Sequence, residues 1–424
     1  MMRYIGQNCR NLSSLPSDLK YNNRIQVMNV FADGDSYSTN DVAEKIGLSR
    51  QTVKKSIQFF QDKGLLITDG KGRSTTAGGK RPELYTFTRT KYFLCITLWP
   101  KKLWMNLYTI GYRLVDALVS NVFFSEGPQE AMRDIGHLAE QFLLKNQIPL
   151  NDVCAVSLSI SGIIDYKAGC LKYNSQMPSW GVNVPLKKYL QEYFAEDTLI
   201  FLENSGKMTA RPFLLEPKFE DKRILTIFSG WGLSGCLIEK RHILCGRNSL
   251  IGEIGHMVLD PSDKEQCGCG RKGCFERLVS INRIRSMIAD QKDRFPDSLL
   301  TKQPLENITI PGVFKASEKK DRLAQQIVRY LSRCFAMALC NICLVFDPDY
   351  IIFQGDYAFA DDYFNSQLYR NLDEFQYFTS ENMFSVLYDR RPLKKIDAQG
   401  SYIALVHQYF SNPELYRDSK KMMQ

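Results

Sequence analysis

Three cysteines and a histidine carry the clearest chemistry in this chain. In the segment GEIGHMVLDPSDKEQCGCGRKGCFE, Cys267, Cys269 and Cys274 form a C-x-C-x4-C cluster, and His256 lies eleven residues before Cys267. Interspersed glycines allow the backbone to turn tightly enough for the side chains to converge. Three thiolates and one imidazole complete a tetrahedral Zn2+ with no open position. The spacing therefore predicts one structural zinc per chain, without a catalytic role. Reduced surface thiols are the competing reading; the density of cysteine in so short a stretch argues against it.

Two further segments are weaker. FSGWGLSG places Gly230, Gly232 and Gly235 after an apolar run, a G-x-G-x-x-G pattern that alone is poor evidence for phosphate binding. A hairpin-like CLIEK RHILCG follows it instead of a long helix, which disfavours a dinucleotide fold. FLENSGKMTA ends a predicted strand at Glu203 and Asn204, a place where a ligand cleft could lie.

A third set of polar residues sits near the N-terminus. Arg24 to Ala32 reads as a helix with Ile25, Met28 and Phe31 on one face. Asn40 to Ile46 reads as a second, capped by Ser38 or Thr39. After the Gly47-Leu48 turn, Ser49 caps SRQTVKKSIQFFQDKG. Val53, Ile57 and Phe60 of that helix face inward, while Arg50, Gln51, Thr52, Lys54, Lys55 and Gln58 lie opposite. A polar N-terminal end is what a recognition helix presents to base edges in the major groove. The strands LLITDG and ELYTF then flank a hairpin bearing Arg73, Lys80 and Arg81, cations suited to phosphates or a minor groove. This order predicts a winged helix-turn-helix with Ser49, Arg50, Gln51, Thr52, Lys54, Lys55, Arg73, Lys80 and Arg81 on double-stranded DNA. A solvated charged face on a small helical domain is the bland alternative.

Charge distribution agrees. Residues 1–90 hold 14 Lys+Arg against 8 Asp+Glu, whereas the remaining residues hold 41 against 38. Most of the net +9 therefore sits in the first fifth of 424 residues, where a polyanion-binding module is expected. The chain is long enough for two or three domains. Its longest apolar run, Phe335 to Phe346, is interrupted by Asn341 and is too short to span a bilayer. MMRYIGQNCRNLSSLPSD has no apolar core of the signal-peptide kind. Twelve cysteines without an export signal predict reduced thiols or metal ligands, so a cytoplasmic protein without membrane contact is expected.

From about Lys91, apolar strands (YFLCITL, LWMNLYTI, VCAVSLSI, TLIFLE, ILTIFSG, CLIEK, YIIFQG) alternate with helices at Pro128 to Lys145, Leu186 to Phe194, Ser280 to Gln291 and Lys320 to Leu344. Such alternation predicts an α/β architecture.

Taken together, the N-terminal winged helix, GEIGH, CGCGRKGCFE, the ENS segment and FDPDYIIFQG resemble the ROK family (repressors, open reading frames and sugar kinases). The likeness is greatest to its repressor branch, which includes regulators responding to xylose, glucose or N-acetylglucosamine. The resemblance implies a two-lobed actin/hexokinase-like (ribonuclease H-like) domain with a sugar in its cleft, a structural zinc, and homodimeric or homotetrameric assembly. It divides the chain into a DNA-binding domain at 1–90, a first lobe at 91–210 completed by C-terminal helices at about 390–424, and a second lobe at 211–390 with the zinc loop at 256–276. The family's sugar-contacting positions fall on Asn204, Glu253, His256 and Glu276, with Gly162 and Ser175 as additions. Carboxylates, an amide and an imidazole can together read hydroxyl stereochemistry.

Family kinases carry an Asp directly after the Asn, to accept the proton of the hydroxyl being phosphorylated; here that position is Ser205, which is no base near neutral pH. An Asp-x-Gly-Gly-Thr loop opens their first strand, where this chain has Cys95-Ile96-Thr97-Leu98-Trp99-Pro100. Trp231 stands for a Thr of the second phosphate loop, and Gly355-Asp356 for a Gly-Gly. The expectation is a sugar-responsive transcriptional repressor without kinase activity. The alternatives are a ROK sugar kinase, or a regulator controlled by a protein partner and retaining a vestigial cleft.

Overall fold

The computed structural model describes residues 16–31, 34–72, 81–121, 127–375 and 384–417. Within them the chain divides into two compact units: residues 1–159, 185–202 and 400–424 form the first, and residues 160–184 and 203–399 the second.

The first unit begins with helices α1 (Pro16–Phe31), α2 (Thr39–Ile46) and α3 (Arg50–Asp62) and strands β1 (Tyr37–Ser38), β2 (Leu66–Lys71) and β3 (Glu83–Phe87). The strands form an antiparallel sheet in the order β1-β3-β2. Ser38 and Asp41 make a reciprocal capping box at α2, and Gly47 ends that helix in the left-handed region, both of which satisfy backbone groups a bare helix end would orphan. Met28, Phe31, Val42, Val53, Ile57 and Phe60 are buried together, as the helical spacing predicts. Helix α1 starts at Pro16, eight residues before the expected Arg24.

The same unit holds β4 (Tyr92–Trp99), β5 (Lys102–Thr109), β6 (Leu114–Asn121), α4 (Pro128–Lys145), β7 (Val153–Ile160), α5 (Leu186–Gln191) and β10 (Leu199–Asn204). Strands β8 (Ile163–Asp165) and β9 (Cys170–Tyr173) pair as a hairpin in the second unit. The large sheet of the first unit runs β10-β7-β4-β5-β6. Strand β6 escapes recognition from sequence because it is an edge strand whose apolar and polar residues do not sort by burial: Val115, Ala117 and Val119 are exposed while Asp116 and Ser120 are half-buried. Asp116, held by Lys145 and Asn146, charges that edge as natural edge strands commonly are.

The second unit contains α6 (Ser205–Ala210), β11 (Arg223–Ser229), β12 (Leu233–Glu239), β13 (His242–Ile243), α7 (Phe275–Leu278), α8 (Ile281–Asp290), α9 (Ile310–Glu318), α10 (Arg322–Phe346), β14 (Tyr350–Gly355), α11 (Asp362–Phe375) and β15 (Ser385–Asp389), and the chain returns to the first unit at residue 400, within α12 (Leu393–Phe410). Its sheet runs β13-β12-β11-β14-β15, with β11 antiparallel to β12 but parallel to β14. Counted along the chain, both large sheets follow one order: third, second, first, fourth, fifth. Helix α10 is the spine of the second core. By length and composition alone it could cross a membrane, yet Leu331, Phe335 and Leu339 along one face are fully buried. The Phe335 ring meets Phe275, Phe353, Tyr357 and Phe364 with centroids 4.5 to 5.6 Å apart, in the edge-on and tilted geometries aromatic quadrupoles favour. Because Phe275 directly follows Cys274, this aromatic hub also anchors the end of the cysteine loop.

Candidate functional site

The cysteine loop closes on itself through local pairing. Gln266 bridges Lys272, Val258 bridges Cys274, and the Phe275 N–H donates to the Met257 carbonyl. Gly273 has φ +69, and any Cβ there would collide with the Asp260 carbonyl, so no other residue fits that turn. The result brings His256, Cys267, Cys269 and Cys274 together with one ligand atom from each within 4.8 Å of every other. Cys269 Sγ and Cys274 Sγ are 3.6 Å apart, as are Cys267 Sγ and His256 Nδ1. A tetrahedral zinc with ordinary Zn–S and Zn–N bonds sets such ligand edges at about 3.6–3.8 Å. The group can therefore hold a metal, and its donor set suits zinc. Burial, then the charge of Arg271, pulls the His256 imidazole below its ordinary pKa, which favours the neutral ligating form. Burial alone would raise the Cys269 thiol, but hydrogen bonds from the backbone and guanidinium of Arg271 outweigh it and hold the thiol low.

The other edge of the His256 ring faces a carboxyl group. Its Nε2 is 3.9 Å from Glu253 Oε2. Burial pushes the Glu253 carboxyl up to about 7; Lys207 opposes the rise and Glu276 adds to it. At neutral pH such a carboxyl both donates and accepts, which matches a hydroxyl. Glu276, on the first turn of α7, accepts from the Leu233 N–H at 2.7 Å and is also raised by burial, against that bond and Arg277. Gly232 makes this approach possible, because a Cβ there would stand 2.8 Å from Glu276 Oε2.

Asn204 caps α6: its Oδ1 accepts from the Gly206 N–H and its Nδ2 donates to the Gly162 carbonyl, both at 2.8 Å. One amide hydrogen and one lone pair remain for another partner. Gly162 itself sits at φ +110. Ser175 is partly buried, and its carbonyl backs directly onto Gly268 of the cysteine loop.

Sequence reasoning passed over Lys207 and Arg211. Both are largely buried and flank Glu203, with Lys207 Nζ 3.9 Å from Oε1 and Arg211 3.5 Å from Oε2. The i,i+4 spacing of Glu203 and Lys207 across the strand end was the available signal.

On α3, Ser49 accepts from the Thr52 N–H and their hydroxyls lie 2.9 Å apart, so both serve first as a cap. Arg50, Gln51, Lys54, Lys55 and Arg81 are exposed. Arg73 and Lys80 lie outside the described residues.

The ROK family pattern matches residues 121–390, more than half of the sequence. The chain belongs to the ROK family. Among its ROK relatives is the DNA-binding transcriptional dual regulator NagC of Escherichia coli K12, 24% identical over 330 residues that cover 76% of this chain and 77% of NagC. The glucokinase of Thermotoga maritima is 27% identical over 215 residues, 49% of this chain and 65% of that enzyme. Among solved structures, a ROK family transcriptional regulator described as a homologue of the E. coli MLC protein superposes with a TM-score of 0.72 at 19% identity, covering 93% of this chain and 99% of that one. The structural likeness shows the actin/hexokinase-like ROK fold, and the ROK relatives include both regulators and kinases.

Proposed function

We propose that this ROK protein is a sugar-responsive transcriptional repressor of the cytoplasm, acting as a homodimer or homotetramer. Residues 1–90 bind operator DNA, with Arg50, Gln51, Thr52 and Lys54 towards base edges and Ser49, Lys55, Arg73, Lys80 and Arg81 towards the backbone or minor groove. Residues 91–210 with the C-terminal helices, and residues 211–390, serve as the two ROK lobes. A monosaccharide or sugar phosphate is read by Asn204, Glu253, His256 and Glu276, with Gly162 and Ser175 shaping their surroundings.

One observation carries this reading: His256 presents Nδ1 to Cys267 and Nε2 to Glu253. A structural zinc held by His256, Cys267, Cys269 and Cys274 would fix the imidazole and the loop around it. Glu253, with a carboxyl near neutrality, then pairs with a hydroxyl. The wrong epimer would leave buried polar groups unpaired, a loss of about 1–3 kcal/mol for each. For a ligand to drive a clean switch from one state to the other, it must prefer one of them by about 10⁴-fold.

No kinase activity is assigned. In this reading Ser205 takes the place of the base that the family resemblance implies for kinases, and Trp231 and Asp356 replace a Thr and a Gly of its phosphate loops. A thermal-shift screen of the purified protein against monosaccharides and their 6-phosphates, with and without ATP, tests both statements. A shift with one sugar and none with ATP is expected; a shift with ATP together with ATP-dependent product formation overturns the assignment in favour of a kinase like the glucokinase relatives.

A further inference from the structure

Two cysteines outside the metal cluster stand opposite one another on neighbouring strands. β12 and β13 pair with Ile238 opposite Ile243 and Glu239 opposite His242. The ladder continues beyond the short strand, because the Leu244 N–H donates to the Leu237 carbonyl at 2.8 Å. One step further, Cys245 comes opposite Cys236. Since 237 and 244 form a hydrogen-bonded pair, 236 and 245 occupy the adjacent non-hydrogen-bonded position. There Cα atoms approach to about 4.5 Å and side chains lie closest. Disulfides accept Cα separations of roughly 4.4–6.8 Å.

The two side chains also share a face. Cys236 and Ile238 pack in the cluster of Ala210, Phe213, Phe219 and Ile352, with Ile243 against it, whereas Leu237 and Leu244 pack on the opposite core. Alternation places Cys245 on the Cys236 side, the side covered by α6. Burial raises its thiol, with Glu203 adding to the rise, while Lys207 and Arg211, reaching it from that direction, oppose it. Cys245 is exposed, while Cys236 is buried and burial pushes its thiol up to about 12.

We propose that Cys236 and Cys245 form a reversible disulfide, made by exchange with a low-molecular-weight disulfide. The Cys245 thiolate attacks one sulfur of that reagent, breaking its S–S bond, forming a mixed disulfide and expelling one thiol. Cys236 then loses its proton and attacks Cys245 Sγ, so the protein S–S bond forms and a second thiol leaves. The two protein thiols are oxidised by two electrons and the small disulfide is reduced to two thiols. Division of labour follows from exposure: the accessible cysteine meets the reagent and the buried one resolves it. The bridge would pin the start of residues 246–253, whose far end returns to β12 where the Gly235 N–H donates to the Gly252 carbonyl at 2.7 Å. This is the segment that carries Glu253, yet the proposal stands whether or not a sugar binds there.

Full-length protein incubated with oxidised glutathione, quenched in acid, alkylated and mapped by mass spectrometry tests this. A peptide pair joined through Cys236 and Cys245, lost on reduction with dithiothreitol, is the expected product. Cys245→Ser, a change at an exposed position, abolishes it, whereas Cys236→Ala leaves Cys245 trapped as its glutathione adduct. Full alkylation of both cysteines after oxidant treatment, or Cys245 joined instead to another cysteine, overturns the proposal.

Discussion

His256 Nε2 lies 3.9 Å from Glu253 Oε2 while Nδ1 of the same ring lies 3.6 Å from Cys267 Sγ. One imidazole thereby joins the cysteine cluster to a largely buried carboxyl group. A metal on the Nδ1 side would fix the ring's tautomer and angle, and so the hydrogen bond available on the Nε2 side. Loss of metal should consequently be felt at Glu253 as well as in the loop.

Elemental analysis of the purified protein should return about one zinc per chain. Cys269→Ser, at the more accessible thiol, should lose it and lower the melting temperature by at least about 5 °C, since structural metal binding contributes directly to folding. A variant retaining full metal and unchanged melting temperature would remove Cys269 from the site.

Glu253→Gln keeps the shape but removes the carboxyl's charge and its freedom to exchange donor and acceptor roles between its two polar atoms. It should abolish the thermal shift produced by the effector sugar while leaving operator affinity within about twofold. An unchanged sugar response in a titration would show that Glu253 does no more than orient His256.

On α3 the exposed cations and amide separate two kinds of contact. Lys55→Ala should weaken binding to all DNA sequences alike and reduce the slope of log affinity against log salt by about 1. Gln51→Ala should relax preference at one operator position, with about 1–3 kcal/mol less discrimination. Competition binding at several salt concentrations distinguishes the two, and an unaltered preference in Gln51→Ala would rule out its base contact.

Asp356 provides a pH-dependent test. Burial raises its carboxyl to about 6, above its unfolded value, so the folded state binds more protons between about pH 4 and 6 and stability falls as pH rises through that window. Asp356→Asn does not titrate. Urea unfolding should find the variant equal to wild type near pH 4 and more stable by about 1–3 kcal/mol at pH 7, allowing for partial solvent exposure. A constant difference across that range would contradict the buried-carboxyl account.

Tyr416 ties the C-terminus to the N-terminal helices. Its carbonyl accepts from Arg24 at 2.6 Å, and its ring packs edge-on against Tyr21 and Phe60. Tyr416→Ala should destabilise the first unit by about 3–5 kcal/mol, the usual cost of removing a buried large aromatic; calorimetry showing less than about 1 kcal/mol would mean that the tail contributes little.

What the sequence alone determined was local. The C-x-C-x4-C loop, the Ser49 cap, the inward face of α3 and most strands of both large sheets rest on spacing within a few residues, where backbone geometry leaves few choices. The cysteine cluster was legible because its glycines and its histidine lie within one short segment. What only the tertiary structure decided depends on partners far along the chain. Arg24 meets Tyr416 across 392 residues, and Lys207 finds a buried place because α6 packs on β12. Edge strand β6 shows too little apolar alternation to announce itself, and β15 is identified by its parallel pairing with β14. The opposition of Cys236 and Cys245 rests on the register of one hairpin, which a slip of a single residue would reverse. Periodicity is written in sequence, but which faces finally meet is settled by the packing of the whole core.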